Sequence, residues 1–406
     1  MPHVEFANLF AVTLIALLAP LLLGLAPRLR VPAVVLEIVA GIVAGPHGLG
    51  LVTVDLPVQI VALLGLAFLL FLAGLEIDVH QLRGQVLRLA VLGYVVTLLL
   101  GSLAGLGLSA AGWVHSPFLL AVTLSATSLG LVVPVLKDAG QSESSVGQFA
   151  IAAASVADFA AVLVLSLVFS TEGGSAGERL VMVGLFALLV VVTGLVVATA
   201  GQSQRLGGVL LRLQDTTAEI RVRAAVVLMV AFVALAEQFG LETILGAFLA
   251  GAVIGLVDRD TASHPRFRIK LEALGYGFLI PVFFVTSGLR LDLRGLFSDP
   301  TALIRVPLFL LALLVVRGAP AYLAVRRLGS RATAATALLQ ATSLPFIVTA
   351  TQIGVLTGLM TPVTAAALVC AGLLSVLVFP TVALGLLRQP AADRSGRAVQ
   401  QPPSRR

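Results

Sequence analysis

Apolar residues run along the chain in long blocks from Phe6 to Leu387, with Gly, Pro and charged residues gathered between them. About 20 such residues in a helix cross the hydrocarbon of a bilayer. Reading the blocks against their punctuation predicts thirteen helical spans, at about 6–26, 31–50, 56–77, 86–112, 117–136, 146–170, 180–201, 222–239, 242–257, 273–289, 302–325, 332–355 and 361–387. The class predicted is an all-α polytopic membrane protein with 1–387 as its membrane domain. The Pro- and Arg-rich segment 388–406 reads as a short disordered basic tail.

Composition agrees. Of 406 residues 59% are hydrophobic and 11% charged, against roughly a quarter charged in a soluble domain. That excludes a soluble enzyme, a disordered chain and a nucleic-acid binder. The net charge of +6 has a topological reading, because cytoplasmic loops of membrane proteins collect Lys and Arg. Of the 26 Lys and Arg, 21 fall in the odd-numbered loops and the C-terminal tail, three in even-numbered loops, and Arg305 and Arg317 inside the eleventh span. This bias puts the N-terminus outside and the C-terminus in the cytoplasm, as an odd number of spans requires. The first span has no basic residue before it and no small-residue cleavage site after it, so it reads as a retained helix. The single cysteine, Cys370, excludes an internal disulfide and reads as a packing residue.

Three motifs recur in order at nearly constant offset. Ala40-Gly41-Ile42-Val43-Ala44-Gly45 resembles Ala250-Gly251-Ala252-Val253-Ile254-Gly255, 210 residues on. Gly74-Leu75-Glu76-Ile77-Asp78 resembles Gly288-Leu289-Arg290-Leu291-Asp292 at 214, and Ala126-Thr127-Ser128-Leu129 recurs as Ala341-Thr342-Ser343-Leu344 at 215. The pairs fall on spans 2 and 9, 3 and 10, and 5 and 12. An odd separation reverses the direction of crossing, so the chain is expected to be an inverted-topology repeat, about 31–170 and 242–387. That arrangement lets one scaffold expose a central site to each side in turn. The Gly pairs also form small faces for close helix packing.

An ionisable side chain deep in a membrane is costly and needs a reason. Asp158 stands near the centre of span 6, and its repeat counterpart, near Leu373, lies in a stretch without a carboxylate. Arg317 is the one basic residue deep in a span. It reads either as a fixed positive charge tuning the Asp158 site or as a snorkelling side chain. Arg305, near a span end, is expected to snorkel. Glu37 in span 2 either lines a cytoplasmic funnel or caps helix contacts. Glu76 and Asp78 read as a solvated helix end. The Ala-Thr-Ser-Leu motifs are each followed by helix breakers, Gly130 and Pro134 after the first and Pro345 after the second. Two discontinuous helices in corresponding positions point to a binding site. Freed carbonyls with the Thr127 and Ser128 hydroxyls are hard-oxygen ligands for an alkali cation beside Asp158. Thr342, Ser343 and Pro345 would form the second crossing helix.

The runs RLRVPAVVLEIVAGIVAGPHGLGL at 28–51, FLAGLEID ending at Asp78, LGAFLAGAVIG at 245–255 and IPVFFVTSGLRLDL at 280–293 resemble the Kef-type monovalent cation:proton antiporters. The resemblance covers nearly all of the predicted membrane domain. It implies a fold with crossed broken helices, a core domain moving against a dimerisation domain, and a homodimer. It also implies that an essential acidic residue on the sixth span binds cation or proton, which matches Asp158. Thr127 and Ser128 match the first crossing helix, and Arg317 falls where relatives usually carry Lys. Ala157 stands where many relatives have Asp, Asn or Gln, and an Arg does not release its proton at ordinary pH. One proton per cation is the exchange these departures imply. About 19 residues follow Leu387, too few for the nucleotide-sensing domain of some Kef-type proteins.

The expected activity is therefore exchange of Na+ or K+ for H+ by alternating access across the cytoplasmic membrane, with no cofactor, nucleic acid or enzymatic reaction. Built on the same residues, a cation channel, a cation/proton symporter and a transport-inactive sensor are the alternatives. An intramembrane aspartyl protease would need two facing carboxylates, and the chain offers one central Asp.

Overall fold

The computed structural model describes residues 5–25, 32–76, 84–138, 140–142, 144–169, 176–201, 219–257, 265–298 and 300–387. Among them every regular element is a helix. The tail 388–406, Asp78 and the basic residues Arg28, Arg30 and Arg83 lie outside the described residues.

The helices are α1 (Ala7–Leu25), α2 (Ala33–Ala44), α3 (Leu56–Leu75), α4 (Gly84–Ala110), α5 (Pro117–Ser125), α6 (Leu129–Asp138), α7 (Ser145–Phe169), α8 (Ala176–Gly201), α9 (Ile220–Gln238) and α10 (Thr243–Val257). A π-helical turn, Gly275–Leu279, joins α11 (Pro265–Leu274) to α12 (Ile280–Leu289). After α13 (Leu293–Ser298), α14 (Pro300–Leu313) runs through a second π turn, Leu314–Gly318, and a 3₁₀ turn, Ala319–Ala324, into α15 (Val325–Leu328). Then come α16 (Ser330–Gln340), α17 (Pro345–Leu356) and α18 (Pro362–Leu387). Among the described residues, seven helical stretches are long and apolar enough to cross a membrane, eight if the bent pair α16 and α17 is one span. α2 and α10, predicted as spans, are shorter apolar helices.

The recurring glycines are where helices touch main chain to main chain. A Cβ on Gly41 would strike the Val285 carbonyl, and one on Gly251 would strike that of Phe71. A Cβ on Gly74 would strike the Phe248 carbonyl, and one on Gly288 that of Ile38. Each contact has its mate at the two offsets read from the sequence, 210 and 214 residues. The same contacts fix direction. Gly41 and Gly45 meet Val285 and Leu289, so α2 runs parallel to α12; Gly251 and Gly255 meet Phe71 and Leu75, so α10 runs parallel to α3. Gly65 meets Leu279 whereas Gly275 meets Leu72 and Phe68, so α3 is antiparallel to the α11–α12 pair. Helices α2 and α10, and likewise α3 and α12, therefore point opposite ways. The repeat is inverted.

Packing sorts the helices into two groups. One holds α1, α2, α3, α9, α10, α11 and α12; the other holds α4 to α7 and α14 to α18, with α8 against α10 at the boundary. In the second group two helices are interrupted. The first break, Ala126–Ser128, comes before Gly130 and Pro134, not at them: those two positions lie inside α6. The reason is that Ala126 takes an extended conformation (φ −82°, ψ 155°), after which Asp158 receives the freed amides, as described below. The second break falls where expected, with Pro345 opening α17, a position where its missing N–H costs nothing. Cys370 packs against the main apolar core.

Gly251→Val should lower the stability of the detergent-solubilised protein by at least ~2 kcal/mol through overpacking, read as a drop in melting temperature. Gly24→Val, on an exposed position of α1 with open space around it, should melt with the parent. A Gly251→Val protein as stable as the parent would show that the main-chain contact does not hold the repeats together.

Candidate functional site

A broken helix inside a membrane leaves amides and carbonyls that water cannot reach, and each must find a partner in the protein. At the first break the partner is Asp158, half-buried on α7. Its Oδ1 accepts from the Thr127 amide at 3.1 Å and its Oδ2 from the Leu129 amide at 3.3 Å. The carboxylate thus caps the start of α6, where the helix dipole also favours negative charge. The two breaks touch each other. The Ser128 amide donates to the Thr342 carbonyl at 2.9 Å, and the Thr127 hydroxyl donates to the Gln340 carbonyl at 2.7 Å.

Arg317 ties these pieces together. It lies in the second π turn, an irregularity that recurs at functional sites, and is 1% exposed. Its Nε donates to Thr127 Oγ1 at 2.7 Å, its Nη1 to Gln340 Oε1 at 3.3 Å and its Nη2 to the Ala153 carbonyl at 2.8 Å. One guanidinium thereby holds both breaks and the helix that carries Asp158. It does not snorkel. Arg317 and Asp158 interact electrostatically, but no ion pair joins them among the described residues; Thr127 stands between, bonding one with its hydroxyl and the other with its amide. The Thr127 hydroxyl is accordingly engaged, whereas the Ser128 side chain makes no hydrogen bond among the described residues. An unengaged hydroxyl on the residue between the two amides that hold a carboxylate offers hard oxygens suited to a monovalent cation.

The second break repeats the first without the charge. The Ser343 amide donates to Ser375 Oγ at 3.2 Å, and that hydroxyl lies 2.7 Å from the Gly372 carbonyl. Ser375 does for Ser343 what Asp158 does for the first break. Thr342 bonds back to the Leu338 carbonyl, and the Ser343 hydroxyl is buried without a partner.

The other expected residues stand apart. Glu37 is 4% exposed on α2, in the other helix group, without a hydrogen bond or ion pair among the described residues. Glu76 is not the solvated helix end expected. It stands at the C-cap of α3 with Oε2 buried and unpartnered and Oε1 3.9 Å from Arg268 of α11. Arg305, half-buried, reaches towards the helix ends. Its Nη1 bonds Thr364 Oγ1 at 3.1 Å, and its guanidinium lies 5.7 Å from the Trp113 ring centre, where the aromatic face attracts a cation. Sequence reasoning missed Gln340, whose signal is an amide directly before the second Ala-Thr-Ser-Leu motif. It also missed Ser375, two residues beyond the position the repeat offset named. The Tyr94 hydroxyl, 3.1 Å from Ser125 Oγ beside the first break, left no signal in the motifs.

Residues 13–388 match the profile of the family described as sodium/hydrogen exchanger, transmembrane. A Bacillus subtilis (strain 168) protein, YjbQ, provisionally named a Na(+)/H(+) antiporter, is 34% identical over 87% of this chain and 58% of its own length. The chain thus spans under two thirds of that relative. The Na(+)/H(+) antiporter of Enterococcus hirae is 30% identical over 65% of this chain and 68% of its own. The glutathione-regulated potassium-efflux protein KefC of Escherichia coli (strain SMS-3-5 / SECEC) is 27% identical over 76% and 49%. The solved structure of the sodium proton antiporter MjNhaP1 from Methanocaldococcus jannaschii shares the fold, with a TM-score of 0.62 over 93% of this chain and 97% of that one at 17% identity. The chain belongs to the sodium/hydrogen exchanger family.

Proposed function

We propose that the protein is an antiporter exchanging a monovalent cation, Na+ or K+, for H+ one for one, by alternating access around Asp158. The observation that carries this reading is the Asp158 carboxylate held on two backbone amides at the first break, on either side of Ser128 in the chain. A proton and a cation would compete for that one anion. Binding either neutralises the charge, so the loaded site crosses the apolar interior at lower cost than the empty, charged one. Exchange, rather than leak, follows from that difference. The relatives named as Na(+)/H(+) antiporters and the potassium-efflux relative support cation:proton exchange and leave both cations in play.

In this reading residues 1–387 form the transport domain, with repeats at about 31–170 and 242–387, and 388–406 a basic cytoplasmic tail. The charge bias of the loops supports an N-terminus outside the cytoplasmic membrane and a cytoplasmic C-terminus. Two copies assemble as a homodimer through the group holding α1 to α3 and α9 to α12, while the group carrying Asp158 moves. Thr127 shapes the cation site through its amide and Ser128 through its hydroxyl; Thr342, Ser343 and Pro345 form the second crossing helix. Arg317 fixes the geometry and the local charge, and Glu37 faces the cytoplasmic funnel.

Asp158→Asn keeps the acceptor for one amide and removes the charge. It should insert and melt near the parent yet lose cation-driven proton flux in proteoliposomes. Undiminished flux would sink the reading, and flux of H+ in the same direction as the cation would replace antiport by symport. Arg317→Ala should strand the Gln340 amide oxygen and leave the Thr127 hydroxyl with only its own donation to the Gln340 carbonyl. Melting should report a loss of about 2–5 kcal/mol for these buried groups, with a changed pH profile and unchanged preference between Na+ and K+. An unaltered melting temperature and pH profile would return Arg317 to an incidental role.

A further inference from the structure

The contacts inside each helix group differ in kind from those between the groups. Every described glycine whose added Cβ would come closer than 3.0 Å to another helix's main chain lies within one group: Gly41, Gly65, Gly74, Gly246, Gly251, Gly255 and Gly288 in the first, Gly105 in the second. Such contacts do not part without loss of close packing. Between the groups the contacts are made by side-chain tips. Phe159, next to Asp158, lies 5.9 Å from the ring of Phe248 on α10. Ser166 Oγ accepts from the Glu242 amide at 3.2 Å, just ahead of α10. Gln352 Nε2 on α17 donates to Ser287 Oγ on α12 at 2.9 Å.

The two hydrogen bonds lie on one face of the molecule. Because α10 is parallel to α3, and α3 antiparallel to the α11–α12 pair, the start of α10 lies at the same end as the finish of α12. Ser166 stands eight residues beyond Asp158 on α7, roughly 12 Å along the helix axis. Phe159, Val162 and Ser166, at helical spacings of three and four, form one stripe between them. Val162 is 1% exposed in this stripe.

We propose that the Ser166–Glu242 and Gln352–Ser287 hydrogen bonds are latches that close one mouth of the Asp158 site and that both break in each turnover. The idea rests on the alternating-access reading above. A cation entering from that face meets the latches first, then Val162, then the ring pair, and only then the carboxylate.

Cys370 is the single cysteine, so Cys370→Ala gives a silent background for a reporter at Val162→Cys. Thr53→Cys, exposed in the segment after α2, marks the latch face, since α2 ends where α12 ends. A membrane-impermeant maleimide applied from each side should label the Val162→Cys reporter slowly in the parent. Ser166→Ala and Gln352→Ala should each raise the rate by roughly five-fold, the effect of losing one net hydrogen bond, and only from the side that labels Thr53→Cys. Unchanged rates in both variants, or a rise from the opposite side, overturn the proposal. A second measurement holds if the alanine variants do not accumulate. Ser287→Cys with Gln352→Cys, bridged by a short thiol cross-linker, should stop exchange; continued exchange by bridged protein also overturns it. Labelling needs no ion gradient, so its result stands even if Asp158→Asn shows that another group carries the ion.

Discussion

An amide that leaves a helix inside hydrocarbon has no water to turn to, and stranding it costs several kcal/mol. That constraint organises this molecule. The Thr127 and Leu129 amides are taken up by Asp158, the Ser128 amide by the Thr342 carbonyl, and the Ser343 amide by Ser375. Of these partners only Asp158 can change its charge. Whatever neutralises its carboxylate weakens an acceptor that the first break depends on, and so reaches the backbone directly. The second break, held by a hydroxyl, has no such dependence. In the proposed cycle one half of the crossover responds to its occupant while the other half serves as a fixed reference.

Arg317 makes the crossover a unit. Its three donors reach a side chain at the first break, a side chain beside the second, and a main-chain carbonyl on the Asp158 helix. The π turn widens the helix where the guanidinium needs to point inward. Burying a guanidinium is expensive unless its donors are used, and here three different elements use them. A helix group knitted in this way is suited to move as one body.

Much of this was legible in the sequence. The glycine motifs announced the inverted repeat because main-chain contact tolerates no other residue, so the constraint is written in residue identity. Asp158 and Arg317 were legible because charge in an apolar run is rare. The position of the first break was not: Gly130 and Pro134 looked like the interruption, yet the backbone turns earlier, where Asp158 sits, a partner 29 to 31 residues away in sequence. Ser375 was hidden because a serine in a membrane helix is ordinary, and only its amide partner makes it a cap. The contact of Arg305 with Trp113, far away along the chain, is equally hidden. Pairings of this kind are tertiary facts, and hydropathy carries no trace of them.

The glycine contacts have a further consequence. Main chain packed on main chain is blind to the residues on the far side of each helix, which face lipid and answer only to hydrophobicity. Sequence can therefore drift across most of the membrane surface while the first helix group keeps its dimensions. A fold shared at 17% identity with an archaeal antiporter shows how far the sequence can change while the geometry stays.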